Sequence, residues 1–355
     1  MKQVNWVKKH FFALGLGLVI VTNLLASEPL RFLSSANPGK GGDLKAADYV
    51  ISGPYTHKNL TVFLIHGPDK LAGKNFLTLQ EALDQKKVIV YETKSVNELA
   101  IQNLSNEDVY VQSGDIVKGG QQDRMMAVDL IVPRKSGKIP IAAFCVESGR
   151  WTKRGAEQVA TFASSSDSVA TKDLKLAAKV SRSQGAVWEN VTVAQDKLSA
   201  NVGSRVNSSA SESSLQLAVE NAKVQENVNS YTRELASITK RKANVIGYVF
   251  AINGTVNSAD VYASNALFLK LWPKLLKASS IEAVAELQKD SKFEPMTEEQ
   301  VKSFLAEAEA GAASEKEVTA RVRLVTRDNK QSVFFETRDA ADENAWVHRN
   351  YIKKN

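Results

Sequence analysis

Along the chain, apolar positions fall into two regimes. From residues 60 to 146 they form short runs or alternate with polar ones, and from 215 to 310 they recur at helical spacing. In the first regime, LTVFLI at 60–65 is β-branched and apolar, and VIVY at 88–91 repeats that character, so both predict strands. Thr78 with Glu81 three residues on has the form of a capping box and predicts a short helix to Leu83. VYVQSGDIV at 109–117 alternates, MMAVDLIV at 125–132 reads as one strand, and PRKSGK at 133–138 reads as a turn. IPIAAFCV at 139–146 is nearly continuous in apolar residues, which predicts a strand buried on both faces.

In the second regime Leu217, Val224, Val228, Tyr231, Leu235 and Ile238 fall on one face of a single long helix. Residues 245–252 predict a strand, with a turn at Asn253-Gly254. Residues 263–277 predict a helix kinked by Pro273. Ser279 with Glu282 and Thr297 with Gln300 open two further helices, the last ending at Gly311, and 318–325 and 332–337 return to strand. Asp260 is expected near a helix N-terminus, where the helix dipole favours a carboxylate. The fold class that follows is α+β: an antiparallel sandwich or barrel core with an appended helical segment, and terminal strands that can rejoin the sheet.

The segments divide accordingly. Residues 1–27 carry a basic head (Lys2, Lys8, Lys9), the apolar run FFALGLGLVIVTNLLA and small residues at Ala26 and Ser27, the layout of a signal peptide. That run is short of the roughly 20 apolar residues of a membrane span. Residues 28–59 read as a linker and N-terminal segment, 60–198 as the β-rich core, 199–214 as an exposed Ser-rich loop, and 215–355 as an α-rich segment ending in strands. The Ser-rich stretch 163–168 also reads as an exposed loop. An extracytoplasmic chain without stable membrane insertion is the expectation.

Charge and cysteine usage narrow the chemistry. The formal charge is +7, and three of those charges belong to the signal lysines, so nucleic acid is not an expected partner. Cys145 is the only cysteine and forms no disulfide within the chain. After the signal come His57, His66 and His348, none at ligand spacing, so neither a metal nor another cofactor is expected.

Two polar clusters interrupt the apolar strands. GDIVKGGQQDR at 114–124 joins two strands, and Gly119 and Gly120 permit positive φ and close approach of a ligand to backbone N–H groups. Gln122, Asp123 and Arg124 follow with a dense set of donors and acceptors. CVESGRW at 145–151 sits at the end of the most apolar strand. There Glu147 and Arg150 are costly unless paired or functional, and Trp151 offers a stacking surface. The Cys145 to Arg150 spacing approaches that of an anion-cradling loop. However, Glu147 inside it repels an anion, so Cys145 reads as a small buried hydrophobe.

These motifs, with INGTVNSADVYAS at 252–264, resemble the ADP-ribosylglycohydrolase and rhodanese-phosphatase associated protein domain family, a former domain of unknown function. The resemblance runs from about Leu60 to the C-terminus and implies a link to ADP-ribose or other nucleotide-derived metabolites. Three functions follow as expectations. The first is binding of a small polar ligand by Gly119, Gly120, Gln122, Arg124, Arg150 and Trp151. The second is hydrolysis by Asp123 and Glu147 as a carboxylate pair. The third is a non-catalytic structural or interaction role in which the motifs are turns and ion pairs.

Overall fold

The computed structural model describes residues 45–354 apart from Lys94, Trp151, Lys153, Gln158, Val159, Asp290 and Asn344, with backbone only at 164–169. The signal-like segment 1–27 and the greater part of 28–59 lie outside the described residues.

The fold is α+β with antiparallel sheets. Its largest sheet has eight strands: β1 (Val50–His57), β2 (Leu60–His66), β12 (Val245–Ile252), β13 (Thr255–Tyr262), β17 (Ala345–Lys353), β16 (Ser332–Asp339), β15 (Val322–Asp328) and β14 (Ala312–Glu317), in that spatial order. The C-terminal strands therefore join the sheet begun by the first two. All its pairings are antiparallel. Asn253 and Gly254, both at positive φ, make the tight β12–β13 turn, as the Asn-Gly pair requires.

A six-stranded sheet runs β11 (Phe162–Val169), β7 (Asp115–Gly119), β8 (Arg124–Met126), β10 (Ile139–Cys145), β5 (Glu98–Asn103), β4 (Val88–Glu92). Its two edges meet through a Tyr91–Thr161 bridge and a Glu92 N–H bond to the Ala160 carbonyl at 3.1 Å, so it is a nearly closed barrel. A small sheet of β3 (Leu77–Thr78), β6 (Val109–Val111) and β9 (Leu130–Val132) lies beside it.

The helices are α1 (Leu79–Asp84), α2 (Lys172–Leu176), α3 (Gln184–Val202), α4 (Leu215–Val219), α5 (Ala222–Leu235), α6 (Asn265–Ala285) and α7 (Glu298–Glu309). A π-helical turn, Ala177–Ser181, extends α2. Capping boxes open α1 at Thr78 and α7 at Thr297, as the sequence predicts. Val224, Val228, Tyr231 and Leu235 of α5 form the expected buried face.

Several expectations are corrected. VYVQSGDIV is two strands, because Gly114 takes φ +93° and the Asp115 carboxylate accepts the Gln112 N–H, turning the chain. MMAVDLIV divides likewise, its halves entering different sheets around Asp129. On β10, Pro140 and Ala142 are exposed, so only its second half is buried on both faces. Residues 163–168 lie in strand β11, which pairs with β7 at Phe162, Ala163, Ser164 and Val169 around a register shift. The linker 28–59 contains β1. The 199–214 stretch begins inside α3 and ends at Ser214, which is fully buried. The long helix over 217–238 breaks at Asn221, whose side chain caps α5. Ser279 and Glu282 lie inside α6, which runs unbroken past Pro273. Asp260 lies on β13, and Ser264 caps the following helix instead. Among the described residues, no helix is long and apolar enough to cross a membrane.

Candidate functional site

The barrel's strands bring the two motifs to one mouth. β4, β7 and β10 end there, at Glu92, Gly119 and Cys145, and β8 and β11 begin there, at Arg124 and Phe162. Gly119, Gly120, Gln122, Asp123, Arg124, Glu147 and Arg150 thus gather within one hydrogen-bonded cluster; Trp151 lies outside the described residues. Gly120 has φ +56°, and a Cβ there would overlap the Phe162 ring, so the tight passage between β7 and β8 depends on glycine.

Asp123 and Glu147 are fully buried and linked: the Asp123 N–H donates to Glu147 Oε2 at 3.0 Å. Arg150 donates Nε to Glu147 Oε1 at 2.6 Å and Nη2 to Oε2 at 2.8 Å. Its remaining donors reach the Gly119, Gly120 and Thr152 carbonyls. Arg154 forks onto Asp123 at 2.9 and 3.0 Å, reaches Glu147 Oε1 at 3.4 Å, and holds Glu157 with its other edge. Asp123 also accepts the Gly119 N–H and the Ser214 hydroxyl. Gly119's N–H is therefore occupied internally.

Arg124 lies one layer deeper. It pairs with Glu92 at 3.2 Å, and Nη1 donates to Cys145 Sγ and, at 3.4 Å, to Gln122 Oε1. Among the described residues, two buried donors here have no partner: Arg124 Nε and Gln122 Nε2. Gln184, at the start of α3, closes a two-bond clasp on the Cys145 backbone, and Trp188 donates to the Glu147 carbonyl. Glu92, Arg154, Glu157, Gln184 and Ser214 complete the cluster and are not among the residues that the sequence singles out. Arg154 stands four residues after Arg150 and was within reach of the motif; the others come from distant segments with no local signal.

The two carboxyls are poised differently. Burial and the Glu147 charge raise Asp123 above its usual range, against the opposing hydrogen bonds from Arg154. Burial acts upward on Glu147 too, but hydrogen bonds, Arg150's above all, hold it below the usual range. Burial pushes the Cys145 thiol up to about 11 despite the neighbouring Arg124, leaving it protonated and poorly nucleophilic at neutral pH.

A second buried polar network lies between the small sheet and the large one. His348 on β17 bridges Asp129 at 2.7 Å and Asp260 at 3.0 Å, stacked on Tyr262. Thr337 and the Ser113 N–H complete Asp129, and Lys179 of the π-helical turn bonds Ser113 and Asn350. Asp260's role is therefore to hold His348. Burial pulls Lys179 down to about 8 against the attraction of Asp129. Among the described residues, no group of three or more His, Cys, Asp or Glu is placed to hold a metal ion.

A family model described as the ARG and Rhodanese-Phosphatase-superfamily-associated Protein domain matches residues 48–352. No curated protein matches, and no solved structure matches.

Proposed function

This chain belongs to the ARG and Rhodanese-Phosphatase-superfamily-associated Protein domain family, and on that premise we propose that it binds a small polar ligand at the barrel mouth. The observation that carries the reading is the pair of unpartnered buried donors, Gln122 Nε2 and Arg124 Nε. A buried donor without an acceptor costs about 1–3 kcal/mol. Both stand in the motif, in a cluster where the neighbouring carboxylates are fully engaged. A ligand oxygen, from a phosphate, a sugar hydroxyl or a carbonyl, satisfies them and recovers that cost. The mouths of β-barrels are among the places where ligand sites occur. Arg150 and Arg154 are committed to carboxylates, so a ligand that needs them must exchange one charge-assisted pair for another.

The ligand class to test first is nucleotides, ADP-ribose and free sugars, in a thermal-shift screen of the chain starting at Glu28. Binding at 100-fold over Kd adds about 2.7 kcal/mol and raises the melting temperature. No shift by any of these at millimolar concentration removes the small-molecule reading and leaves the cluster as an ionic lock on the barrel mouth.

A second reading, hydrolysis by the carboxylate pair, is favoured by the opposite displacement of Asp123 and Glu147. A raised carboxyl suits a general acid and a lowered one a base or nucleophile. Hydrolysis of a glycosidic substrate that Asp123→Asn and Glu147→Gln each abolish supports it. For location, we propose that the chain works outside the cytoplasm, on the basic, apolar and small-residue order of residues 1–27. Fractionation with N-terminal sequencing tests this: a cytoplasmic protein that retains Met1 contradicts it.

A further inference from the structure

A serine and a histidine lie outside both networks, in hydrogen-bond contact on the edge of the large sheet. Ser52 Oγ is 2.8 Å from His66 Nε2, and His66 Nδ1 is 2.9 Å from the Ala243 carbonyl oxygen. A carbonyl only accepts, so in neutral His66 the proton resides on Nδ1, and Nε2 presents its lone pair to the Ser52 hydroxyl. That is the tautomer a general base needs to activate a serine, with a third group orienting the base.

The surroundings fix the pair and leave it reachable. Ser52 is on β1, the terminal strand of its sheet, and both residues are half-buried. His66 on β2 is held between Val50 of β1 and Val245 of β12 in the strand register. The segment carrying Ala243 is tied down by the Gly67 N–H, which donates to the Asn244 carbonyl at 3.0 Å. A bulge follows Ser52 directly, where the β1–β2 register shifts between Ser52 and Tyr55. Its Gly53 has φ +136°, and a Cβ there would press on the Val62 carbonyl and Phe63 at 3.1 Å. Bulges of this kind re-aim a side chain beside a site.

Past the bulge, the Lys242 ammonium lies 5.4 Å from the Tyr55 ring centre, which places a phenol and an ammonium on the side of Ser52 beyond the bulge. Val50, opposite His66, is 65% exposed and offers an apolar rest for a short acyl chain. By contrast, among the described residues, the contact of His57 with Ser230 is longer at 3.4 Å.

We propose that Ser52 and His66 form a second, surface-accessible site that cleaves small carboxylic esters through an acyl-serine. Ser52 Oγ bonds to the ester carbonyl carbon while its proton passes to His66 Nε2. The carbon–oxygen bond to the alcohol then breaks, and the leaving oxygen takes that proton from His66. Water adds to the acyl carbon, giving one proton to His66 Nε2, and the acid departs as Ser52 recovers its proton. The sum is ester plus water to acid plus alcohol.

The test uses the full chain, a fluorophosphonate probe with peptide mapping, and 4-nitrophenyl acetate hydrolysis. The expected result is one adduct, on Ser52. Ser52→Ala should remove it and lower hydrolysis at least about ten-fold, and His66→Gln should slow labelling on the order of 100-fold, the scale of a lost general base. Ser230→Ala should leave both unchanged. Melting curves matching the wild type show that the variants are folded. A folded wild-type chain without a Ser52 adduct, an adduct mapped to Lys242 instead, or a Ser52→Ala variant as fast as wild type overturns the proposal. Each of these outcomes is separate from ligand binding at the barrel mouth, which involves none of these residues.

Discussion

Replacing Arg154 with alanine strikes the barrel-mouth cluster at its most connected point. Asp123 is fully buried and receives two of its hydrogen bonds from Arg154, at 2.9 and 3.0 Å. Removing one partner of a buried ion pair leaves an uncompensated charge and costs about 3–5 kcal/mol. Asp123 keeps the Gly119 N–H and the Ser214 hydroxyl, so the low end, about 3 kcal/mol, is expected. At about 2 °C per kcal/mol for a chain of this size, the melting temperature falls by roughly 6 °C.

The pH dependence carries a sign. Asp123 is already raised in the folded state, and without Arg154 it rises further. A carboxyl whose folded value exceeds its unfolded one binds more protons in the native state between the two, so stability drops as pH rises through that window. The Arg154→Ala penalty should therefore be smaller at pH 5 than at pH 8. Glu147, held low, loses its contribution only as pH falls from its unfolded value through its lower folded one, so it stays ionised at pH 5. Urea melts at both pH values, with Asp123→Asn/Arg154→Ala as the double variant, make the assay, and the double variant should regain much of the loss. A penalty under about 1 kcal/mol, or one that grows toward acid pH, refutes the reasoning.

Gly120→Ala should cost about 3 kcal/mol, from the left-handed backbone and the Phe162 overlap together, and Phe162→Leu in the same chain should return part of it in urea melts. Cys145 should resist a disulfide-exchange reagent in the folded chain and react fully in urea, since it is buried and pushed up to about 11. For His348, burial acts downward but Asp129 and Asp260 raise it overall. Its stabilisation is therefore complete below the unfolded value near 6.5 and fades as pH rises through the folded one. His348→Gln should lower stability by about 3 kcal/mol at pH 6 and flatten the decline expected of the wild type on the alkaline side.

Local signals were legible where local physics decides. The side chains of Thr78 and Thr297 cap helices from within three residues, and Asn253-Gly254 makes its turn alone. The two motifs were readable as polar interruptions of apolar strands, and their residues do meet. What joins them is not local. Barrel closure rests on Tyr91 and Thr161, seventy residues apart, and Ser214 reaches Asp123 across ninety-one. α3 had a pattern, Val187, Val191, Ala194 and Leu198 at helical spacing, but its polar neighbours and the serine-rich flank masked it. Asp260 follows an Asn-Gly turn closely enough to resemble a helix start. Only pairing with β12 and β17 makes it a strand residue facing His348.

Gln122 separates a ligand site from a structural lock most directly. Among the described residues its Nε2 is buried without an acceptor, and its Oε1 makes only a long 3.4 Å contact with Arg124. Stability and ligand-induced shift should be measured together for wild type and Gln122→Met. On the ligand account, the free variant is as stable as wild type or about 1 kcal/mol more so, because an orphan donor is gone, while the shift given by the best ligand disappears. A variant that is destabilised by 2 kcal/mol or more, or one that keeps the full ligand shift, contradicts it.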